Sequence, residues 1–193
     1  MRNKGKKSKH AAATFLKRFI QHPGRIGSVA PSSKFLAHAM LSQVDWDNAI
    51  NIAELGAGTG VFTRDIVKLA RPDANILVFE IDVSLRKLIK EEHPDHKGLK
   101  LYSDAQKLEE VMRENNIESF DYIISSLPFT VLPHEMSENI LNAVNKTLSP
   151  NGRFIAYQYS RIMKHKLCEK FRDIKSKYVL LNIPPAFVFN CGK

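Results

Sequence analysis

A chain of 193 residues, 44% of them apolar and 25% charged, has material for one sizeable core and excludes a fibrous or low-complexity protein. No apolar run approaches the ~18 residues of a membrane span. The two cysteines, Cys168 and Cys191, lack metal-ligand spacing, so a reducing cytoplasm and no metal centre are expected. The formal net charge of +9 is unevenly placed: residues 1–44 carry nine Lys/Arg and no acid, residues 45–150 carry 11 basic and 18 acidic residues, and residues 151–193 carry nine basic and two acidic. Basic ends around an acidic middle favour docking on a polyanion, either anionic lipid or nucleic acid.

In chain order, residues 1–10 hold five Lys/Arg and no large apolar side chain, which predicts a disordered basic tail without the apolar core of a signal peptide. Residues 11–21 predict a short amphipathic helix, with Phe15, Leu16, Phe19 and Ile20 opposite Lys17, Arg18 and Gln21. Such a helix can lie in a membrane interface or pack on its own domain as a lid. His22-Pro23-Gly24 ends it, and Gly27 to Ser33 forms a polar loop. A second helix is expected from about Ser33 to Gln43, with Phe35, Leu36, Ala39 and Met40 on one face.

Strand and helix signals then alternate. An apolar strand from Ile50 leads into Glu54-Leu55-Gly56-Ala57-Gly58-Thr59-Gly60, and a helix spans Val61 to Ala70. A strand covers Asn75 to Ile81, a helix Val83 to Glu92, a strand Leu99 to Ser103, and a helix Ala105 to Asn115. Phe120 to Ser126 is a strand, Pro133 to Leu148 a helix, Ser149 to Gly152 a turn, and Arg153 to Tyr159 a strand. Ile162 to Lys175 reads as a basic helix, followed by closing strands at Tyr178 to Asn182 and Ala186 to Cys191. This alternation implies an α/β protein with one doubly wound, Rossmann-like sheet of seven mostly parallel strands, a C-terminal hairpin and N-terminal helices.

In such a sheet, ligands lie beyond the carboxyl ends of the strands. The glycine loop after the first strand is therefore the leading candidate site. Its Gly-x-Gly-x-Gly spacing puts Val61 where a dinucleotide fingerprint needs glycine, and no P-loop Gly-Lys-Ser/Thr occurs. Glu-Leu-Gly-x-Gly-x-Gly instead resembles the first motif of class I S-adenosylmethionine-dependent methyltransferases. Glu80, 20 residues past Gly60, stands where a carboxylate takes both ribose hydroxyls of a nucleoside. The resemblance implies S-adenosylmethionine as cofactor, held by Glu54, Gly56, Ala57, Gly58, Gly60, Glu80 and Ser125. Asp104 would accept from the adenine amine, with Ile81 and Ala105 on the ring faces, and residues 45–193 would form the methyltransferase domain. Asp104 also suits an ordinary helix N-cap.

Methyl transfer from a sulfonium is an in-line displacement that needs a positioned, neutral nucleophile. Tyr157, Tyr159, His38 and His134 are candidate polar groups at the predicted mouth, and the base can be water. The acceptor is read from the fourth strand. The chain resembles bacterial rRNA adenine dimethylases, which carry Asn-Leu-Pro-Tyr/Phe there, but has Ser126-Leu127-Pro128-Phe129. A serine lacks the donor-plus-acceptor pair of an amide. A second resemblance, to bacterial soluble phospholipid N-methyltransferases, rests on four features. They are the basic helical N-terminus, Gly27 to Ser33, Ser125-Ser126-Leu127-Pro128, and Asn182-Ile183-Pro184-Pro185-Ala186-Phe187-Val188. It implies methylation of the phosphatidylethanolamine amine by a cytoplasmic protein that associates peripherally with an anionic membrane, with residues 11–44 as the membrane or lid region. Tyr159, Tyr157 and Ser126 are the expected acceptor-site residues. An RNA-modifying methyltransferase and a non-catalytic nucleoside-binding module are the alternative readings.

Overall fold

Successive residues of the central strands go to opposite faces of one sheet, and both faces are covered. The computed structural model describes residues 33–193. The basic tail, the predicted helix over residues 11–21 and most of the Gly27 to Ser33 loop lie outside the described residues. Helix α1 (Lys34–Leu41) comes first, capped by the Ser33 hydroxyl, which accepts from the Leu36 N–H. There follow β1 (Asn51–Leu55), α2 (Val61–Leu69), β2 (Asn75–Phe79), α3 (Val83–Glu92) and β3 (Leu99–Tyr102). A 3-10 turn (Ala105–Lys107) runs into α4 (Leu108–Glu114). The remainder is β4 (Phe120–Ser125), α5 (His134–Thr147), β5 (Leu148–Gln158), α6 (Met163–Lys170), β6 (Asp173–Val179) and β7 (Ala186–Gly192).

The sheet has the order β3-β2-β1-β4-β5-β7-β6. Strands β1 to β5 are parallel to their neighbours, while β7 runs antiparallel to β5 and β6. The expected fold class is what forms. Within β1, Ile52 packs on one side with Ile76, Val78, Ile124, Ile155 and Val188, beneath α1 and α2. Ala53 and Leu55 pack on the other with Leu77, Phe79, Ile123, Phe154 and Phe189, beneath α4, α5 and α6. Strands apolar on both faces require this double cover, which is why the sequence signal is a continuous apolar run.

Three expected boundaries are corrected. The basic helix predicted over Ile162 to Lys175 stops at Lys170, because Phe171 leaves the helix to stack on Phe154 at 5.6 Å between ring centroids. An aromatic pair of this kind contributes about 0.5–1.5 kcal/mol beyond its buried area. The sixth strand therefore occupies Asp173–Val179 rather than Tyr178 to Asn182, pairing Asp173 with Gly192 and Val179 with Ala186. Its Lys175 and Lys177 are exposed, as suits an edge strand that must not recruit another sheet. Lastly, Ser149 to Gly152 lies within the span of β5. The register shifts there: Phe120 faces Leu148 and Tyr122 faces Arg153, so the turn-like residues loop outward.

Candidate active site

The carboxyl edge of the sheet gathers the loop after β1, Glu80 after β2, the Ser126-Leu127-Pro128 loop after β4, and Tyr159 after β5. The loop after β1 turns on three glycines with positive φ: +80° at Gly56, +58° at Gly58 and +78° at Gly60. A Cβ at Gly56 would come 2.8 Å from Leu127 Cδ2, so the leucine would have to shift, and the left-handed backbone itself disfavours a side chain. At Gly58 a Cβ would meet nothing within 4 Å, so the backbone there faces open space.

Glu80 is buried and ties that loop to the next strand. The Gly58 N–H donates to Glu80 Oε2 at 2.8 Å, and the Asp82 N–H donates to Oε1 at 2.9 Å. Burial pushes its carboxyl up, partly opposed by these N–H donors and reinforced by the charge of Asp82. Glu54 is fully buried on the α1 face, where Thr63 Oγ1 donates to its Oε2 at 2.7 Å. Its Oε1 has no hydrogen-bond partner. Desolvation raises the Glu54 carboxyl to about 7, against the lowering effect of Thr63, and Glu80 adds like-charge repulsion. Two neighbouring buried carboxyls with one free acceptor suit a ligand bearing N–H or O–H donors and positive charge.

The acceptor candidates share the face of Glu54. Tyr157 packs there between Phe62, at 6.1 Å between ring centroids, and Tyr159, at 5.7 Å edge-on. Leu127 enters the core on the opposite face, which leaves Ser126 on the Glu54 side. The Ser126 N–H donates to Leu55 O at 2.9 Å, so Ser126 is held at the mouth of the β1 loop. Ser126 Oγ is buried without a hydrogen-bond partner, and Tyr159 Oη is buried beside Tyr157 and Asn182. Burial, with Tyr157 alongside, raises the Tyr159 phenol above its ordinary value, which already leaves it protonated at neutral pH. Ser125, by contrast, turns inward: its Oγ accepts from the Leu127 N–H at 3.2 Å.

The remaining candidates divide. Ile81 and Ala105 are half-buried and pack against the same core as Phe79 and Tyr102. Asp104 caps the 3-10 turn, with its Oδ1 accepting from the Gln106 N–H at 2.9 Å. His38 and His134 are exposed, on α1 and at the first turn of α5. Among the described residues no three His, Cys, Asp or Glu side chains gather as a metal site.

Three positioning residues lie outside the expected site residues. Thr63 orients Glu54. Gln158 pins the loop after β4, with its Nε2 donating to Leu127 O at 2.8 Å. Asn182 is buried beside Tyr159 and joins two distant segments. Its Oδ1 accepts from the Ser33 N–H at 3.1 Å, and its Nδ2 donates to Pro184 O at 2.6 Å.

Comparison with known proteins places this geometry. A family model described as a methyltransferase domain matches residues 53–154. The ornithine lipid N-methyltransferase of Singulisphaera acidiphila is 29% identical over 183 residues, covering 92% of this chain and 93% of that protein. Among solved structures, the N-methyltransferase NodS of Bradyrhizobium japonicum in complex with S-adenosyl-L-homocysteine superposes with a TM-score of 0.67 at 14% identity, covering 93% of this chain and 97% of that one. An rRNA methylase of Streptococcus thermophilus does so with a TM-score of 0.61 at 17% identity, covering 81% and 94%. These structural likenesses establish the fold. With the family match running from β1 into β5, the chain belongs to the methyltransferase-domain family and is a class I S-adenosylmethionine-dependent methyltransferase.

Proposed function

We propose that the protein transfers methyl groups to the amine of a membrane lipid, with the phosphatidylethanolamine headgroup as acceptor. The observation that carries this reading is a pair of buried hydroxyls on the same face of the sheet as Glu54: Ser126 Oγ, which has no hydrogen-bond partner, and Tyr159 Oη, beside Tyr157 and Asn182. The similarity to an ornithine lipid N-methyltransferase over nearly the whole chain supports a lipid amine.

The residues present fit the cofactor. The open backbone at Gly58, the carboxylate of Glu80 and the free Glu54 Oε1 offer room, hydroxyl acceptors and a counter-charge at the same edge of the sheet. Glu80 would hold the ribose, Asp104 the adenine amine, and Ile81 and Ala105 the ring faces. When bound, S-adenosylmethionine supplies an electrophilic methyl on a sulfonium.

The side chains then have to orient a neutral amine. Such an amine has N–H donors and one lone pair, and only the lone pair can attack. Ser126 Oγ and Tyr159 Oη each accept one N–H, which turns the lone pair toward the sulfonium. Tyr159, kept as a phenol, acts as an acceptor and positioner and does not remove the proton. Water at the mouth takes that proton. A monomethylated amine keeps a lone pair and an N–H, so the same arrangement permits a second round. The polarised charge of the chain and the basic residues 1–22 support a peripheral position on the cytoplasmic face of an anionic membrane.

A second reading takes the ornithine lipid amine as acceptor, favoured by the relative's own activity. The test compares wild type, Tyr159→Phe and Ser126→Ala on phosphatidylethanolamine vesicles and on ornithine lipid vesicles. Both variants are expected to bind S-adenosylhomocysteine as wild type does while losing about 10- to 100-fold in turnover, the cost of one misplaced contact to the nucleophile. Unchanged turnover in both would remove this acceptor site. Activity on ornithine lipid alone would move the function to the second reading.

A further inference from the structure

The loop between β6 and β7 carries three of the exposed large apolar side chains among the described residues, Ile183 being the most exposed of all, and neither the proposed cofactor site nor the acceptor hydroxyls use them. Leu180 is 69% exposed, Leu181 64% and Ile183 81%. Three large aliphatic side chains in four residues held out in water demand an explanation, whereas one would not.

The loop lies at the edge where chemistry is expected. Strand β6 is antiparallel to β7, and β7 to β5, so the end of β6 and the start of β7 stand beside the carboxyl end of β5: Val179 pairs with Ala186, and Gln158 with Phe187. Asn182 is the one inward-facing residue between Leu180 and Ile183, and its two hydrogen bonds fasten the loop to Ser33 and Pro184. The aliphatic side chains are thus presented from an anchored base beside Tyr159. Two further apolar side chains stand on the same rim: Ile162, 71% exposed in the turn after β5, and Phe35, in the first turn of α1 next to Ser33.

Cations frame this patch. Lys177, three residues before Leu180, Arg161, next to Ile162, and Lys34, next to Ser33, are exposed. The Arg161 guanidinium lies 5.2 Å from the Phe187 ring centroid, and Phe187 packs on the half-exposed Tyr178 at 4.5 Å. Apolar tips, a tyrosine at their base and a collar of Lys/Arg match the layers of an anionic bilayer: acyl chains, headgroup boundary and negative surface.

We propose that this loop is a membrane-inserting wedge, with Leu180, Leu181 and Ile183 entering an anionic lipid bilayer so that the Ser126–Tyr159 mouth is set at headgroup level. It rests on the lipid-amine reading and adds a docking element independent of residues 1–22.

The test uses the full chain and vesicles of equal phosphatidylglycerol and phosphatidylethanolamine. A Leu180→Ser, Leu181→Ser, Ile183→Ser variant is expected to keep its S-adenosylhomocysteine affinity and its turnover on detergent-dispersed lipid. Its vesicle affinity should fall at least about tenfold, since each buried leucine or isoleucine favours the bilayer substantially. Leu181→Trp reports insertion without removing apolar surface, and the fluorescence of its indole should be quenched by lipids brominated on the acyl chain. Wild-type vesicle binding undiminished in the serine variant, or indole fluorescence in Leu181→Trp untouched by brominated lipid, overturns the wedge while leaving the lipid-amine reading standing. So does a variant that only loses self-association, which would assign the patch to a second copy, or only loses RNA binding. Wild type that neither binds vesicles nor methylates any lipid overturns both.

Discussion

Gly58 and Glu80 come from different strand ends, yet one hydrogen bond of 2.8 Å, from the Gly58 N–H to Glu80 Oε2, joins them. The bond holds the glycine loop against the second strand while leaving the outward side of Gly58 open. A carboxylate oxygen has more than one lone pair, so Glu80 can hold the loop and still accept from a ligand hydroxyl.

Replacing that carboxylate should therefore cost twice. Glu80→Ala removes the proposed ribose acceptor and the bonds that its carboxylate accepts from the Gly58 and Asp82 N–H groups. Calorimetric titration with S-adenosylhomocysteine should show binding weakened by about 1–3 kcal/mol. Affinity equal to wild type would mean that another residue takes the ribose.

Gly58 separates strain from obstruction. Gly58→Ala adds a Cβ into open space but in a left-handed backbone, and should cost stability by about 1 kcal/mol. Gly58→Arg adds the same strain and also fills that space, so cofactor binding should vanish while circular dichroism stays native. Retained binding in the arginine variant would place the cofactor elsewhere.

The pH dependence of Glu54 has a definite sign. Its folded-state carboxyl, at about 7, stands above the ordinary value of 4.5, so the folded state holds its proton more tightly than the unfolded state does. The stability it lends is complete below 4.5 and is lost as pH rises to 7. Between pH 5 and pH 8 the loss from this group is about 2–3 kcal/mol. Urea denaturation of the ligand-free protein at those two pH values should show that difference, much reduced in Glu54→Gln. Cofactor binding runs the other way: a cationic ligand favours the carboxylate, so affinity should weaken as pH falls below about 7.

Asn182 closes the acceptor side of the molecule by bridging residues 149 apart in sequence. Asn182→Ala would leave the Ser33 N–H and the Pro184 carbonyl unpaired, a cost of about 1–3 kcal/mol. Because α1 is fastened there, thermal unfolding should shift downward and turnover fall further than cofactor affinity. Equal effects on all three would make Asn182 a general stabiliser of the fold.

How much of this was legible beforehand depended on the range of the interaction. Helix α3 has the expected bounds, Val83–Glu92, because its signals are local: Asp82 accepts from the Ser84 and Leu85 N–H groups, and Pro94 follows the end. The glycine loop and Glu80 were legible for the same reason, since strand, turn and downstream acid lie within one βαβ stretch. The bounds of α6 and β6 were not. Ile162 to Lys175 reads as a basic helix, but Phe171 is drawn onto Phe154, and Lys175 then lies on an edge strand paired with β7. Thr63 was legible only once the fold brought it to Glu54, and Asn182, although it opens the Asn182 to Val188 motif, gave no sign of its bond to Ser33, because threonine and asparagine carry no signal that a buried partner awaits them.

The central claim is lipid amine methylation, and the direct measurement is mass spectrometry of acceptors after incubation with isotopically labelled S-adenosylmethionine. Vesicles containing phosphatidylethanolamine and, separately, unmodified rRNA would be offered to the full chain. The account predicts label on the headgroup nitrogen of the lipid and none on RNA, with the lipid signal lost in Glu80→Ala and Tyr159→Phe. Label on RNA alone would contradict it, and would mean that Ser126 serves where adenine dimethylases use an amide.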